Sequence, residues 1–581
     1  MAEFKNPQQE PGTEKRLLFV FVLTFLAILL FQPLLKKYGP QPPAEAPKSD
    51  TRAETPPPPP PGISQPADKS ESGTAAAKQA SSETETVIEN DLYRITFTNR
   101  GGQVKSWILK EYDDDKGQPL ELVNPLGSSK YGLPFSLWTY DETLRNKLNS
   151  ALYVSSSSGK VSAPAEMNFE FADADVSVHK TIRFDHSYVV HIETSVRSKG
   201  ADVVSFPAWP AGLGDEANAA NYSASRVEYQ YADKVERLAA KKVVGGNTIN
   251  GPFHWAGVVD RYFGAIFIPD DPQNSATISL RNPIDIPKDP DKPNPQDTIK
   301  VDVLGAAVGN PHGPTSERVF VGPKSLQVLE SVQVPGIAAH PDLRQLVDFG
   351  FFSIIARPLF LWLKWTYQHI VPNWGWAIVI QTLIINLALL PLRISQMKSM
   401  LKMQRVAPQI KSIQEKYKKY SLRDPRKQEM QQEISSLYKK EGVNPAGGCL
   451  PLVIQMPFLF AYYSMLGSAL DLRHAPWIWV RDLSSPDPLH LLPILIIITM
   501  FLTQRMTPQA GMDPTQQKMM AFMMPVMLGV ISWNLPAGLG LYWSEGNIIA
   551  LVQQSIMNRT SLGREMREMM EKRARKSNNK K

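Results

Sequence analysis

From residue 374 onward the chain is dominated by sparsely charged apolar stretches, at about 374–392, 446–466, 489–505, 516–533 and 536–557, and a sixth such run lies at 17–35. A helix of roughly 20 apolar residues spans the hydrocarbon core of a bilayer. Within lipid only helices and closed barrels satisfy every backbone N–H and C=O group. The segments therefore predict a membrane protein with an α-helical bundle, a five-helix core plus an N-terminal anchor helix. A charged middle region hides this in the overall composition, which carries 20% Asp, Glu, Lys and Arg.

The run 17–35, LLFVFVLTFLAILLFQPLL, reads either as a cleaved signal peptide or as an anchor. The nearby small-residue site, Ala44-Glu45-Ala46, lies well past the run and precedes Pro47, which makes poor cleavage chemistry. Residues 1–35 are therefore expected to be a cytoplasmic segment and an uncleaved anchor. Residues 36–85 are rich in Pro, Ala, Ser, Thr and Glu, with consecutive prolines at 56–61. They lack the apolar content to fold and predict a disordered tether.

Residues 86–335 alternate apolar and polar side chains in short stretches such as TVIENDLYRITFTN and FEFADADVSVHKTIRF, separated by Gly, Asp, Asn and Pro turns. That pattern predicts an all-β sandwich domain. In 336–372, Asp348, Arg357 and Lys364 interrupt an apolar pattern and Pro358 is expected to break it. An interfacial amphipathic segment is predicted there, not a crossing.

Loop charge sets the topology. The loop 393–440 holds thirteen Lys and Arg and few acids, and the tail 559–581 holds nine Lys and Arg against three acids. Both basic segments fall on the cytoplasmic side if the anchor and five core spans all cross, which leaves both termini inside and the β domain outside. Residues 393–444 read as a helical hairpin, MKSMLKMQRVAPQIKSIQEKYKKY and DPRKQEMQQEISSLYKKEG, with a kink predicted at Pro408. The lone Cys449 excludes an intramolecular disulfide or a cysteine metal cluster. With no GxxxxGK[ST] loop and no clustered His or Cys ligands, no cofactor, metal or catalytic residue is expected, and the chain is not read as an enzyme.

Polar residues inside spans are costly and tend to face protein or a water-filled cavity, so they mark candidate functional positions. Gln381, Thr382, Asn386 and Arg393 stand out in the first core span; the last three recur at spacings that keep them on one helical face. Gln455, Thr499, Thr503, Gln517 and Glu545 come from the facing segments, and Tyr542 and Trp543 add an aromatic wall. Together they are candidates to line a polar groove open to the cytoplasm. The competing reading for each Gln or Thr is interhelical hydrogen bonding, at about 1 kcal/mol per contact. For Arg393 and Glu545 the cost of charge near hydrocarbon, several kcal/mol, favours a functional reading.

The run from Lys439-Lys440-Glu441-Gly442-Val443-Asn444-Pro445 through Gly447-Gly448-Cys449-Leu450-Pro451 to Gln455-Met456-Pro457 closely resembles the YidC insertase pattern leading into the third span. So do Asp513-Pro514 with Gln516-Gln517-Lys518, Met524-Pro525, Leu535-Pro536-Ala537-Gly538-Leu539 and Leu541-Tyr542. The outer domain matches through Asn99-Arg100-Gly101-Gly102, Trp255 with Asp260-Arg261-Tyr262-Phe263, and Val321-Gly322-Pro323-Lys324. The resemblance runs along nearly the whole chain except the tether. It implies an insertase and chaperone for nascent membrane proteins in the inner membrane, alone or beside the Sec translocon, with a large periplasmic β-sandwich. It also implies substrate reception by the hairpin and a ribosome contact by the basic tail. One departure concerns charge. The family's groove arginine falls five residues before the proline closing the second span, where this chain has Asn386, and the nearest charge is Arg393. Glu545 stands where an apolar residue is usual. A polytopic transporter or channel is the alternative from another class, and the unequal core spans without evident internal repeats argue against it.

Overall fold

A computed structural model describes residues 77–232, 234–289, 294, 296–336, 342–420, 424–443, 450–506, 514–561, 563–565 and 568, with the side chains of 450–454 and 514–520 outside the description. The anchor 17–35, most of the tether, Cys449 and most of the basic tail lie outside the described residues.

The alternating pattern of 86–335 becomes three sheets. The largest, of ten strands, runs in spatial order from Lys234–Ala239 through Arg226–Tyr231, Trp255–Val259, Phe263–Pro269, Thr315–Pro323, Val189–Ser198 and Val176–Phe184 to Ala165–Ala172 and Val154–Ser155, with the short Ala201–Asp202 paired to Val189–Ser198 off this path. Two five-stranded sheets complete the domain, one built on Glu85–Glu89, Tyr93–Thr98 and Gln103–Asp113, the other on Ala276–Pro287 and Thr298–Gly309. Pairing is antiparallel except where Glu85–Glu89 runs parallel to Gly159–Ser162. Tyr93, Phe97, Trp107, Phe135, Trp209 and Trp255 are fully buried between the sheets. The tether is shorter than expected. Lys78 bridges Ala172, and Asn99 holds Ser82 and Thr84 through its side chain, so the last residues before Glu85 belong to the domain.

The motif Asn99-Arg100-Gly101-Gly102 has a packing role. Gly101 and Gly102 adopt φ of 65° and 55°, where a side chain is strained. That turn aims both carbonyls at Lys180, whose buried Nζ donates to Gly101 O, Gly102 O and Phe135 O at 2.8–2.9 Å. Burial lowers the Lys180 pKa to about 7.

Beyond the β domain come helices α1 (Ser353–His369), α2 (Trp374–Ala388), α3 (Leu390–Lys416), α4 (Arg426–Lys440), α5 (Leu450–Ser468), α6 (Leu491–Met506), α7 (Pro514–Ser532) and α8 (Ala537–Arg559). Pro358 lies inside α1 and does not end it. It is the sixth residue, past the N–H groups that lack an intrahelical partner, so the helix forgoes the bond to Ile354 O there and the burial of Ala356, Leu359, Phe360 and Leu363 carries it through. One face of α1 buries Ala356, Leu359, Phe360 and Leu363 while Ile354, Leu361 and Trp365 are exposed, an amphipathic arrangement. The first span also differs from expectation. α2 stops at Ala388, and α3 starts at Leu390 with Pro391 in its first turn, at a bend of 48°. Among the described residues no single helix is long and apolar enough to cross a membrane; α2 and α3 taken together are. α3 and α4 form the expected hairpin, closed by Val406, Ile410, Ile434 and Val443, with Pro408 inside α3. Close packing in the bundle rests on two glycines: Gly375 lies under the Trp477 ring and Gly529 under Ile497.

The domain and the bundle meet at a charged junction. Arg473, in the segment between α5 and α6, pairs with Asp215 at 2.5 Å and Asp115 at 3.7 Å, and lies over the rings of Tyr262 and Phe263. Its side chain is 8% exposed and that of Asp215 6%. Arg261 Nε donates to Gly467 O at 2.6 Å, and His474 contacts Asp115 at 3.2 Å. Asp260 caps the Tyr262 and Phe263 N–H groups, and Lys324 Nζ donates to Asp260 O. The Asp260-Arg261-Tyr262-Phe263 motif and Lys324 thus build the seat of the domain on the bundle.

Breaking one partner of a buried ion pair costs about 3 kcal/mol. Arg473→Ala should therefore raise amide hydrogen exchange across 470–485 by about a hundredfold; unchanged exchange would remove the latch. The junction should also respond to pH. Burial, and then the nearby Asp260, hold the Asp215 carboxyl up at about 7 against the attraction of Arg473, and the Asp115 contact raises the His474 value. Both groups hold protons more tightly when packed, so closure takes up protons: the Asp215 contribution to protection should be full below the ordinary carboxyl value of 3.8 and be lost progressively as pH rises from there through about 7.

Candidate functional site

Inside the bundle the polar residues converge on one line where α2, α3 and α8 meet. Thr382 and Asn386 are buried on α2, and α8 packs against both α2 and α6. Asn386 Nδ2 donates to Thr382 O at 2.8 Å, and Arg393 Nη2 donates to Asn386 Oδ1 at 3.3 Å. Arg393 sits beyond the 48° bend, so the contact is not the simple two-turn stacking of one straight helix. The long side chain leans back toward the helix N-terminus and closes the gap. Gln553 of α8 reaches Asn386 O at 3.4 Å.

Across from Thr382 lies Glu545 of α8, within hydrogen-bond reach of the Thr382 hydroxyl. That hydroxyl has one proton, and it also lies 2.7 Å from Ile378 O, to which it donates. Glu545 Oε2 is sealed and has no hydrogen-bond partner, as are Asn547 Nδ2 and Gln553 Oε1 on the same helix. Among the described residues neither Arg393 nor Glu545 has an ion-pair partner.

The end of this line toward the β domain is closed by apolar packing. Tyr462 stacks on Tyr542 with ring centroids 3.9 Å apart, and Trp374, Trp477, Val480, Leu483 and Leu539 are buried around them. Ala537 N and Gly538 N donate to Ser485 O and Leu483 O, fixing the start of α8 to the outer segment. Toward the other end Arg393, Gln553, Gln554 and Asn558 are partly exposed, and Met557 packs on Met397 and Leu401 of the hairpin. The polar line is therefore shut at one end and open beside the hairpin.

The other candidate positions divide. Gln381 is tied between helices: its Nε2 donates to Leu359 O of α1 at 2.9 Å and its Oε1 accepts from Tyr462 of α5. Thr499 and Thr503 donate to Leu495 O and Thr499 O of their own helix. Gln455 and Trp543 are partly exposed on α5 and α8. The Gln517 side chain lies outside the described residues. The junction residues Arg473 and Asp215 were not anticipated, because an arginine in a connecting segment shows no partner until the β domain is folded beside it.

Residues 365–564 match the family model described as 60Kd inner membrane protein, and residues 85–362 match that of the YidC periplasmic domain. Membrane protein insertase YidC of Syntrophus aciditrophicus (strain SB) is 30% identical over 569 residues, covering 94% of this chain and 99% of that protein. The protein of the same name from Methylobacillus flagellatus is 30% identical over 587 residues, covering 94% and 97%. An active YidC insertase crystal structure with the first transmembrane domain resolved covers 84% of this chain and 95% of that one, at 19% identity and a TM-score of 0.35.

Gln381 separates a structural from a substrate-facing role. Gln381→Leu should leave the Tyr462 hydroxyl without its partner, remove the tie to Leu359 O of α1, and destabilise the bundle by about 1–3 kcal/mol. The check is the thermal unfolding midpoint of the detergent-solubilised protein; an unchanged midpoint would return Gln381 to the groove lining.

Proposed function

This chain belongs to the YidC family of membrane protein insertases, and from that premise we propose that the line from Arg393 through Asn386 and Thr382 to Glu545 is its substrate groove. The supporting observation is a run of polar groups, two of them ionisable and without an ion-pair partner among the described residues, in an apolar bundle shut on one side and open beside a basic hairpin. A polar loop or tail of a nascent protein enters from the cytoplasmic side and is held part way into the membrane. Its apolar segment meanwhile passes sideways into lipid, where each large apolar side chain leaving water gains about 1.5–3 kcal/mol. The exposed apolar faces of α2 (Leu383, Ile384, Leu387) and α7 (Phe522, Val526, Val530) suit contact with lipid tails.

The topology follows with both termini cytoplasmic, the β domain periplasmic and α1 at the outer interface. In this reading the groove residues are Thr382, Asn386, Arg393, Tyr542 and Glu545, with Trp543, Gln455, Thr499, Thr503 and Gln517 as further lining and Gln381 as support. The Sec translocon is a partner on the lateral side. The basic tail 559–581 meets the ribosome.

Arg393 supplies positive potential at the open end. Arg393→Ala should reduce insertion of substrates with acidic translocated tails about tenfold, and adding Asn386→Arg should restore it. If Arg393 only anchors the helix at the headgroups, Arg393→Lys is silent and Asn386→Arg gives no rescue. Truncation after Asn558 should weaken ribosome co-sedimentation at low salt, since a polycation binds phosphates in a salt-dependent way. Binding that survives truncation would leave the tail as a topology signal.

A further inference from the structure

The unpaired carboxylate of Glu545 raises a question that the positive end of the groove does not answer. A carboxylate is acceptor-only, with room for about four donors. Here Oε2 has none among the described residues, and the neighbouring Thr382 hydroxyl points its single proton toward Ile378 O. A sealed acceptor left unmet costs about 1–3 kcal/mol even when neutral, so a fold that keeps one calls for an explanation. Internal neutralisation by Arg393 is not made. Its guanidinium goes to Asn386 Oδ1, and Asn386 gives its own N–H to Thr382 O, which spaces the two charges along the line.

We propose, resting on the groove reading above, that Glu545 is a specificity-determining residue that receives a lysine or arginine side chain of the substrate's polar segment. The groove is then dipolar. Arg393 attracts carboxylates at its open end, and Glu545 holds a cation deeper in, about one helical turn along α8 from Tyr542. An ammonium or guanidinium supplies three to five N–H donors and an opposite charge, which is what the sealed oxygen lacks. Gln553 Oε1, also sealed and unmet on the same helix about two turns toward the open end, gives an entering cation a first acceptor on its way in. A groove with only positive charge would reject basic tails; this one accepts both signs at different depths.

The test uses the full-length protein in liposomes and two single-span substrates that differ only in the translocated tail, one with three lysines and one with three aspartates. The readout is the ratio of inserted Lys-tail to Asp-tail substrate. Glu545→Gln should lower that ratio about tenfold, Glu545→Asp should keep it near wild type, and Arg393→Gln should raise it. As a second measurement, the membrane-permeant carbodiimide DCC should join the tail lysine to Glu545 in the unmodified protein carrying a stalled Lys-tail substrate, detected as a cross-linked peptide. A ratio unchanged by Glu545→Gln, or equal loss for both tails, overturns the assignment, as does a cross-linked peptide mapping elsewhere. Failure of the groove reading itself looks different: neither Glu545→Gln nor Arg393→Gln then moves the ratio.

Discussion

Hydrogen-bonding groups among apolar helices must be met from within, and that constraint shapes the whole bundle. Most of its polar residues obey it conservatively. The threonines of α6 fold their hydroxyls back on their own carbonyls, and Gln381 ties α1 to α5. Along the line from Arg393 to Glu545 satisfaction is incomplete, with Glu545 Oε2 and Gln553 Oε1 both sealed and unmet. Function is most economically placed there, because a buried group kept short of partners gains most from a ligand that supplies them.

The shape of the bundle gives that line its direction. The outer end is filled by aromatic rings and by the Trp477–Gly375 contact, where any β-carbon on residue 375 would collide with the indole. The other end, where α3 bends away at 48° and Met397 and Leu401 pack on Met557, leaves Arg393 and Gln553 partly exposed. The β domain stands on the closed side. Its attachment uses buried charge, with Arg473 held among Asp215, Asp115 and two aromatic rings. Such pairs add little net stability over apolar packing but specify geometry, which suits a domain that must sit in one orientation.

Much of this was legible in the residues. Period-two alternation marks the sheets because one face of each strand is buried, as in Val176–Phe184, where Val176, Val178 and Ile182 point inward. The interior of the bundle was legible through Thr382, Asn386, Arg393 and Glu545, because polar groups stand out against apolar spans. Local pattern fails where the outcome depends on partners far along the chain. Lys180 sits in an ordinary alternating strand, yet its ammonium is buried against the carbonyls of Gly101, Gly102 and Phe135. Arg473 reads as a loop cation until Asp215, more than 250 residues earlier, is brought beside it. Proline position misled in the other direction: Pro358 is absorbed near the start of α1, while the bend before α3 falls at Leu389, two residues ahead of Pro391.

The central claim is that nascent chains pass along the Arg393–Glu545 line, and site-specific photocrosslinking tests it most directly. Photoreactive residues placed singly at Thr382, Arg393 and Trp543 should each capture a ribosome-stalled membrane protein whose apolar segment has just emerged. A probe at Tyr231, exposed on the β domain, should not. Capture from Tyr231 and from none of the three bundle positions would contradict the account.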